Sequence, residues 1–248
     1  MPTTSTFNTY SDKLYCSETL NIYLDMNDAN LSESAMKSLE PALNLAINEM
    51  QNLENGSISN PDENRQVGHY WLRNHSLAPS AKMSQQIEDT LNRIKLFAAN
   101  VIEGRILNPE NKVFSNILLI GIGGSALGPQ FISDALDPMT GLKIHFLDNT
   151  DPDGIDRVLS GLSAVLSESL VIVISKSGAT AETRNGMLET QNVFKNQGLN
   201  FAKQAVAVTG QGSQLHKLAT EKSWLSIFPM WDWVGGRTSV MSAVGLLP

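Results

Sequence analysis

The sequence predicts an α/β protein: a three-layer α/β/α sandwich on a parallel sheet, preceded by a helical N-terminal extension. Three observations predict it. From Phe114 onward, short apolar runs alternate with helix-like stretches, the pattern of strands joined by crossover helices. The run over residues 170–174 is apolar throughout, as a strand covered on both faces should be. Upstream of about residue 110 the apolar residues instead recur at helical spacing. The expected division is residues 1–110 for the extension and 111–248 for the α/β domain. With 248 residues, 42% of them hydrophobic, a sizeable core can form.

The elements follow in order. Up to about residue 34 the chain is polar, with Tyr10, Leu14, Leu20, Ile22 and Leu24 suited to a short extended piece or to docked turns. A helix follows, with Ser32 or Ser34 as its cap, Leu39, Leu43, Ala46, Ile47 and Met50 on one stripe, and Gly56 as its stop. The stretch "NGSISNPDENRQVG" reads as a loop. A second helix covers Lys82 to about Ile102, with Met83, Ile87, Leu91, Ile94, Leu96 and Phe97 on its apolar face. Five strands then read out as "NILLIG", "KIHFLDN", "LVIVIS", "QAVAVTG" and "WLSIFPM", with helices between them. Right-handed crossovers bring the ends of such strands to one edge, where ligands of open α/β sheets bind.

The net charge of −7 argues against nucleic-acid or anionic-membrane partners. Any anion must be attracted locally, by backbone amides and a few cationic side chains. Cys16, the single cysteine, permits no internal disulfide and no cysteine-based metal cage. No apolar signal core opens the sequence, and no run is long enough to span a bilayer, so a cytoplasmic location is expected.

Three loops fall on the predicted edge. "GIGGSALG" allows close backbone approach and offers the Ser125 hydroxyl beside Gly124; without a ligand it is a tight strand-to-helix turn. "SKSGATAETRNG" gathers Ser175, Lys176, Ser177 and Thr180 at a helix start, where the helix dipole favours an anion. Thr180 and Glu182 also suit a capping arrangement there. "WDWVGGRTSVMSAVG" sets Arg237 behind twin glycines, poised to stabilise an oxyanion or to pair with Asp232 or an upstream carboxylate, with Thr238 or Ser239 capping a following helix. The first turn also satisfies the G-x-G-x-x-G/A dinucleotide pattern, and Asp148 suits the ribose acid of an NAD site. That reading leaves the hydroxyl cluster without a task. A phosphate monoester on a sugar uses both loops, and is preferred.

Together, "GIGGSALGP", "SKSGATAETRNG" and "WDWVGGRTSVMSAVGLLP" resemble hallmark segments of the glucose-6-phosphate isomerase family, in order. The resemblance implies a sugar-isomerase (SIS) type domain that interconverts glucose 6-phosphate and fructose 6-phosphate through an enediol, without a cofactor or metal. By resemblance, Ser175, Ser177 and Thr180 grip the phosphate and Lys176 adds its backbone amide. Gly124 and Ser125 line the sugar, and Arg237 steadies the enediolate. The family's catalytic glutamate belongs to a later glycine-rich segment, so the chain is expected to be an N-terminal fragment with little turnover. The full-length form is expected to be a homodimer. His69, His75, His145 and His216 are expected to be structural or exposed. Two other functions compete: a non-catalytic sugar-phosphate sensor and an NAD-binding domain.

Overall fold

The computed structural model describes residues 13–29, 31–136 and 141–248. Tyr10 lies outside them. Backbone contacts divide the chain into two compact units, Met1–Asn52 and Leu53–Pro248.

In the first unit, β1 (Leu14–Ser17) and β2 (Ile22–Asp25) pair antiparallel, Leu14 opposite Asp25. Asn21 supplies the positive φ of 51° that the turn between them requires. Helix α1 (Glu33–Glu54) starts where Ser32 Oγ accepts the Ala35 N–H at 3.2 Å. None of its side chains is buried.

The second unit opens with a short antiparallel hairpin, β3 (Ile58–Asn60) and β4 (Arg65–Gln66), where the sequence reads as loop. These strands are too short to show a period. Helix α2 (Ala81–Ile102) is capped by Ser80, whose Oγ accepts the Met83 N–H at 3.2 Å. Its buried stripe is Ile87, Thr90, Ile94, Phe97 and Val101. Leu96, expected on that stripe, is exposed, because it falls about 100° from Phe97 around the helix.

Strand β5 (Asn116–Ile120), helix α3 (Gly124–Leu136), β6 (Lys143–Leu147), α4 (Pro152–Leu162), β7 (Ser169–Ser175), α5 (Ala181–Asn196), β8 (Ala205–Thr209), α6 (Gln214–Glu221) and β9 (Ser226–Pro229) then alternate. All five strands are parallel, in the order β6-β5-β7-β8-β9. The chain steps from β5 out to β6, then returns across β5 to β7. The order therefore reverses between β5 and β7, which makes the gap beyond their carboxyl ends the topological switch point.

The strands point alternate residues to opposite cores. Ile117, Leu119, Ile172 and Val208 face one side, with Ile94 and Phe97 of α2 and Ala126 of α3. Leu118, Ile120, Val171 and Val173 face the other, with Leu159 of α4, Phe194 of α5 and Leu215 of α6. This is the expected three-layer sandwich, and α2 is part of one outer layer. The last helix, α7 (Ala243–Leu246), is capped by Ser242, not by Thr238 or Ser239. A 3₁₀ turn over Gly236–Thr238 occupies the chain there, and Ser239 Oγ donates to Gly236 O at 2.8 Å.

Candidate functional site

An open cleft of ≈ 1180 Å³ lies at the carboxyl ends of β5, β7, β8 and β9. Gly124, Ser125, Ser175, Lys176, Ser177 and Thr180 all line it. The loops after β5 and β7 therefore meet at one rim, as the parallel topology demands.

The loop after β7 is shaped by its own hydroxyls. Ser175 Oγ donates to Thr180 Oγ1 at 3.3 Å and accepts the Gly178 N–H at 3.1 Å. Ser177 Oγ accepts the Ala179 N–H at 3.1 Å. Gly178 has φ +67°, and a Cβ there would come 2.3 Å from the Leu215 nitrogen, so only glycine fits. Thr180 occupies the cap position of α5 in an extended conformation, but its side chain makes no capping hydrogen bond. The expected hydroxyl cap is absent; that oxygen instead accepts from Ser175. The first-turn amides of α5 are thus left uncapped by Thr180, and they and the helix dipole favour an anion at this end.

The turn after β5 packs directly on the third loop. A Cβ on Gly124 would lie 2.0 Å from Gly236 O, so the two backbones touch. Gly236 and Asp232 line the cleft. Trp231 and Trp233 stack with centroids 4.9 Å apart and 13° between planes, and Trp233 packs on Trp71 at 5.3 Å. Arg237 follows Gly236 but is exposed and does not itself line the cleft. Among the described residues it forms no ion pair, so the bridge to Asp232 is not made.

Lys176 does more than its backbone suggests. Its Nζ donates to Asp232 O at 2.7 Å and to Val234 O at 3.0 Å. Burial, then the nearby Arg65 charge, lowers its pKa; Asp232 and Glu63 pull the other way.

Sequence reasoning missed part of the lining. Residues 210–213, the loop after β8, contribute Gly210, Gln211, Gly212 and Ser213. "TGQGS" repeats the strand–glycine–hydroxyl–helix pattern of the loops already chosen, and that signal was available. Thr209 Oγ1 bonds Ser175 O at 2.6 Å and Ser213 Oγ at 2.7 Å, tying this loop to the hydroxyl loop. Glu63 and Arg65 arrive from the β3–β4 segment, and Asp89 and Arg93 from α2. Arg93 donates to Ile227 O at 2.8 Å and lies 5.1 Å from the Phe228 ring centroid. No local pattern marks these; only tertiary folding brings them in.

The four histidines stay outside the cleft lining. His75 Nδ1 meets Ser84 Oγ at 2.9 Å, and His145 Nε2 meets Asn116 Oδ1 at 3.1 Å. Burial lowers the pKa of His69 and, with Lys143, that of His145. Asp148 accepts a hydrogen bond from Gln130 Nε2 at 2.7 Å and does not line the cleft. Among the described residues no group of three or more His, Cys, Asp or Glu side chains could hold a metal ion. No described helix is long and apolar enough to cross a membrane.

Comparison with known proteins shows the family and supports the fold. The family described as "Phosphoglucose isomerase" matches residues 25–248. The glucose-6-phosphate isomerase of Citrifermentans bemidjiense is 53% identical over 240 residues, 96% of this chain and 45% of that protein. That of a Cyanothece species is 53% identical over 249 residues, 100% of this chain and 47% of its own length. The chain thus spans just under half the length of the curated relatives it matches. A crystal structure of a glucose-6-phosphate isomerase from Chlamydia trachomatis superposes with a TM-score of 0.74 at 28% identity, covering 88% of this chain and 42% of that one.

Proposed function

The chain belongs to the phosphoglucose isomerase family, and from that membership we propose that its cleft binds a hexose 6-phosphate and serves the interconversion of glucose 6-phosphate and fructose 6-phosphate. The observation that carries the reading is the shared cleft. The hydroxyl loop at the start of α5 and the glycine turn at Ser125 face one space at the switch point.

A phosphate dianion presents three terminal oxygens and needs several donors. Ser175, Ser177 and Thr180 offer hydroxyls, the first turn of α5 offers amides, and Ser125 offers a further hydroxyl from the opposite loop. The formal charges lining the cleft cancel: Arg65, Lys176 and Arg93 against Glu63, Asp89 and Asp232. Anion attraction is therefore local, at the helix start. Gly124 adds no side chain to the sugar's side of the cleft, and its backbone packs directly against Gly236. Arg237, at the lip, is close in sequence to the cleft backbone and suits an oxyanion that develops during proton transfer between C2 and C1. Gripping the remote phosphate orients the reacting carbons for that step. The proton itself is moved by the family's glutamate, in a segment of the whole protein that these loops do not supply. The whole protein acts as a cytoplasmic homodimer without cofactor in this reading.

Calorimetric titration of this chain tests it. Fructose 6-phosphate binds and is displaced by inorganic phosphate, while fructose does not bind. Ser177→Ala and Thr180→Val each weaken binding by about tenfold, the effect of one hydrogen bond to a charged group. Equal binding of fructose and fructose 6-phosphate, or tighter binding of NADH than of either, would refute the reading.

A further inference from the structure

The sequence offers Lys176 as a loop residue among hydroxyls, the resemblance uses only its backbone amide, and the proposed function counts only its charge. Its side chain has a separate task. The ammonium reaches across 56 and 58 positions of sequence to the main-chain oxygens of Asp232 and Val234. These carbonyls flank Trp233 in the turn that leads to Gly236 and Arg237. The same turn is held from below by the Gly68 N–H, which donates to Trp233 O at 2.9 Å. Lys176 is the only described side chain that hydrogen-bonds these two carbonyls, and it starts from the hydroxyl loop itself. The charged groups that bear on the ammonium are Arg65, Asp232 and Glu63.

We propose that Lys176 is a positioning residue: its ammonium fastens the turn over residues 231–237 to the hydroxyl loop, fixing the spacing between the phosphate grip and the Gly236–Arg237 rim. The function assigned to this spacing rests on the sugar-phosphate reading above; the fastening itself does not. Main-chain carbonyls are neutral, so they hold the ammonium in place without cancelling its charge. An uncharged side chain of similar length leaves both carbonyls short of a donor and lets the turn move. The phosphate grip has its own hydroxyls and amides, so inorganic phosphate feels that movement less than a ligand spanning both loops.

Two measurements test this. In the wild-type chain labelled with ¹⁵N-lysine and with ¹³C at the aspartate and valine carbonyls, the Lys176 ammonium gives a slowly exchanging signal with hydrogen-bond couplings to the carbonyl carbons of Asp232 and Val234. Absence of those couplings overturns the proposal, whatever the ligand. In Lys176→Met, the near-ultraviolet circular dichroism of the stacked Trp231–Trp233 pair falls. Affinity for fructose 6-phosphate drops by about tenfold or more, exceeding the drop for inorganic phosphate, and Lys176→Arg restores part of both signals. An unchanged tryptophan band in a folded Lys176→Met, or equal losses for the two ligands, overturns it. Should Lys176→Met not fold, the ammonium couplings decide alone. Should wild type bind neither ligand, the functional reading fails while the couplings and the tryptophan band still decide the fastening.

Discussion

Helices α1 and α2 are both 22 residues long, and both carry apolar residues at helical spacing. Their fates differ. Helix α2 buries Ile87, Ile94, Phe97 and Val101, and turns Asp89 and Arg93 towards the cleft. Helix α1 buries nothing: Leu39, Leu43, Ile47 and Met50 stay between 42% and 57% exposed. Periodicity therefore tells that a helix forms and which face is apolar. It does not tell whether that face finds a partner within the same unit. Helix α2 contributes to the core of the second unit, whereas α1 contributes little through burial of its own side chains.

The contrast yields predictions of decreasing size. Phe97→Ala removes a buried ring that meets Phe228 edge-on at 5.6 Å, and lowers unfolding stability by about 3–5 kcal/mol in denaturant titrations. A loss below about 1 kcal/mol would show that α2 is as unpartnered as α1. Arg93→Ala gives up the Ile227 carbonyl and the Phe228 face, costing about 1 kcal/mol by the same titration. Ser80→Ala removes the α2 cap, also at about 1 kcal/mol, read as fraying by amide exchange in the first turn. Leu43→Ala in α1 changes stability by less than about 0.5 kcal/mol, because the side chain is already in water. A larger loss would show that the apolar stripe of α1 is covered in solution.

The smallest effect is in pH, and it belongs to the second unit alone. His69 and His145 have folded pKa values below the ordinary 6.5, chiefly because burial opposes the charged ring. The unfolded chain therefore binds more protons over the window just below pH 6.5. Stability is full above that value and declines as pH falls through the folded pKa values. All tryptophans lie in this unit, so their fluorescence during urea unfolding at pH 7 and pH 5 reports it. His145→Gln reduces the slope; a slope of opposite sign contradicts the assignment.

Much of this was legible in the sequence, for stated reasons. The continuous apolar run of β7 could only be a strand covered on both faces, and it is. Glycine and hydroxyl residues after β5 and β7 marked two walls of the cleft, since such loops must reach the same sheet edge. Other features depended on distance in space. The β3–β4 hairpin has too few residues to show alternation, and its Arg65 reaches the cleft only through folding. Thr180 sits at a cap position, yet its oxygen accepts from Ser175 and makes no bond to the first-turn amides. Lys176 gave no hint of its carbonyl partners, which lie more than fifty residues later. Arg237 was drawn to the site by its neighbours, and only Gly236 of that pair lines the cleft.

The most direct test of the switch-point site is a crystal structure of this chain with fructose 6-phosphate. The phosphate is predicted to lie at the start of α5, within hydrogen-bond distance of Ser177 and Thr180, with the sugar running towards Gly124 and Gly236. A phosphate bound elsewhere on the chain, or a sugar running towards Asp148 and the β6 edge, would contradict the account.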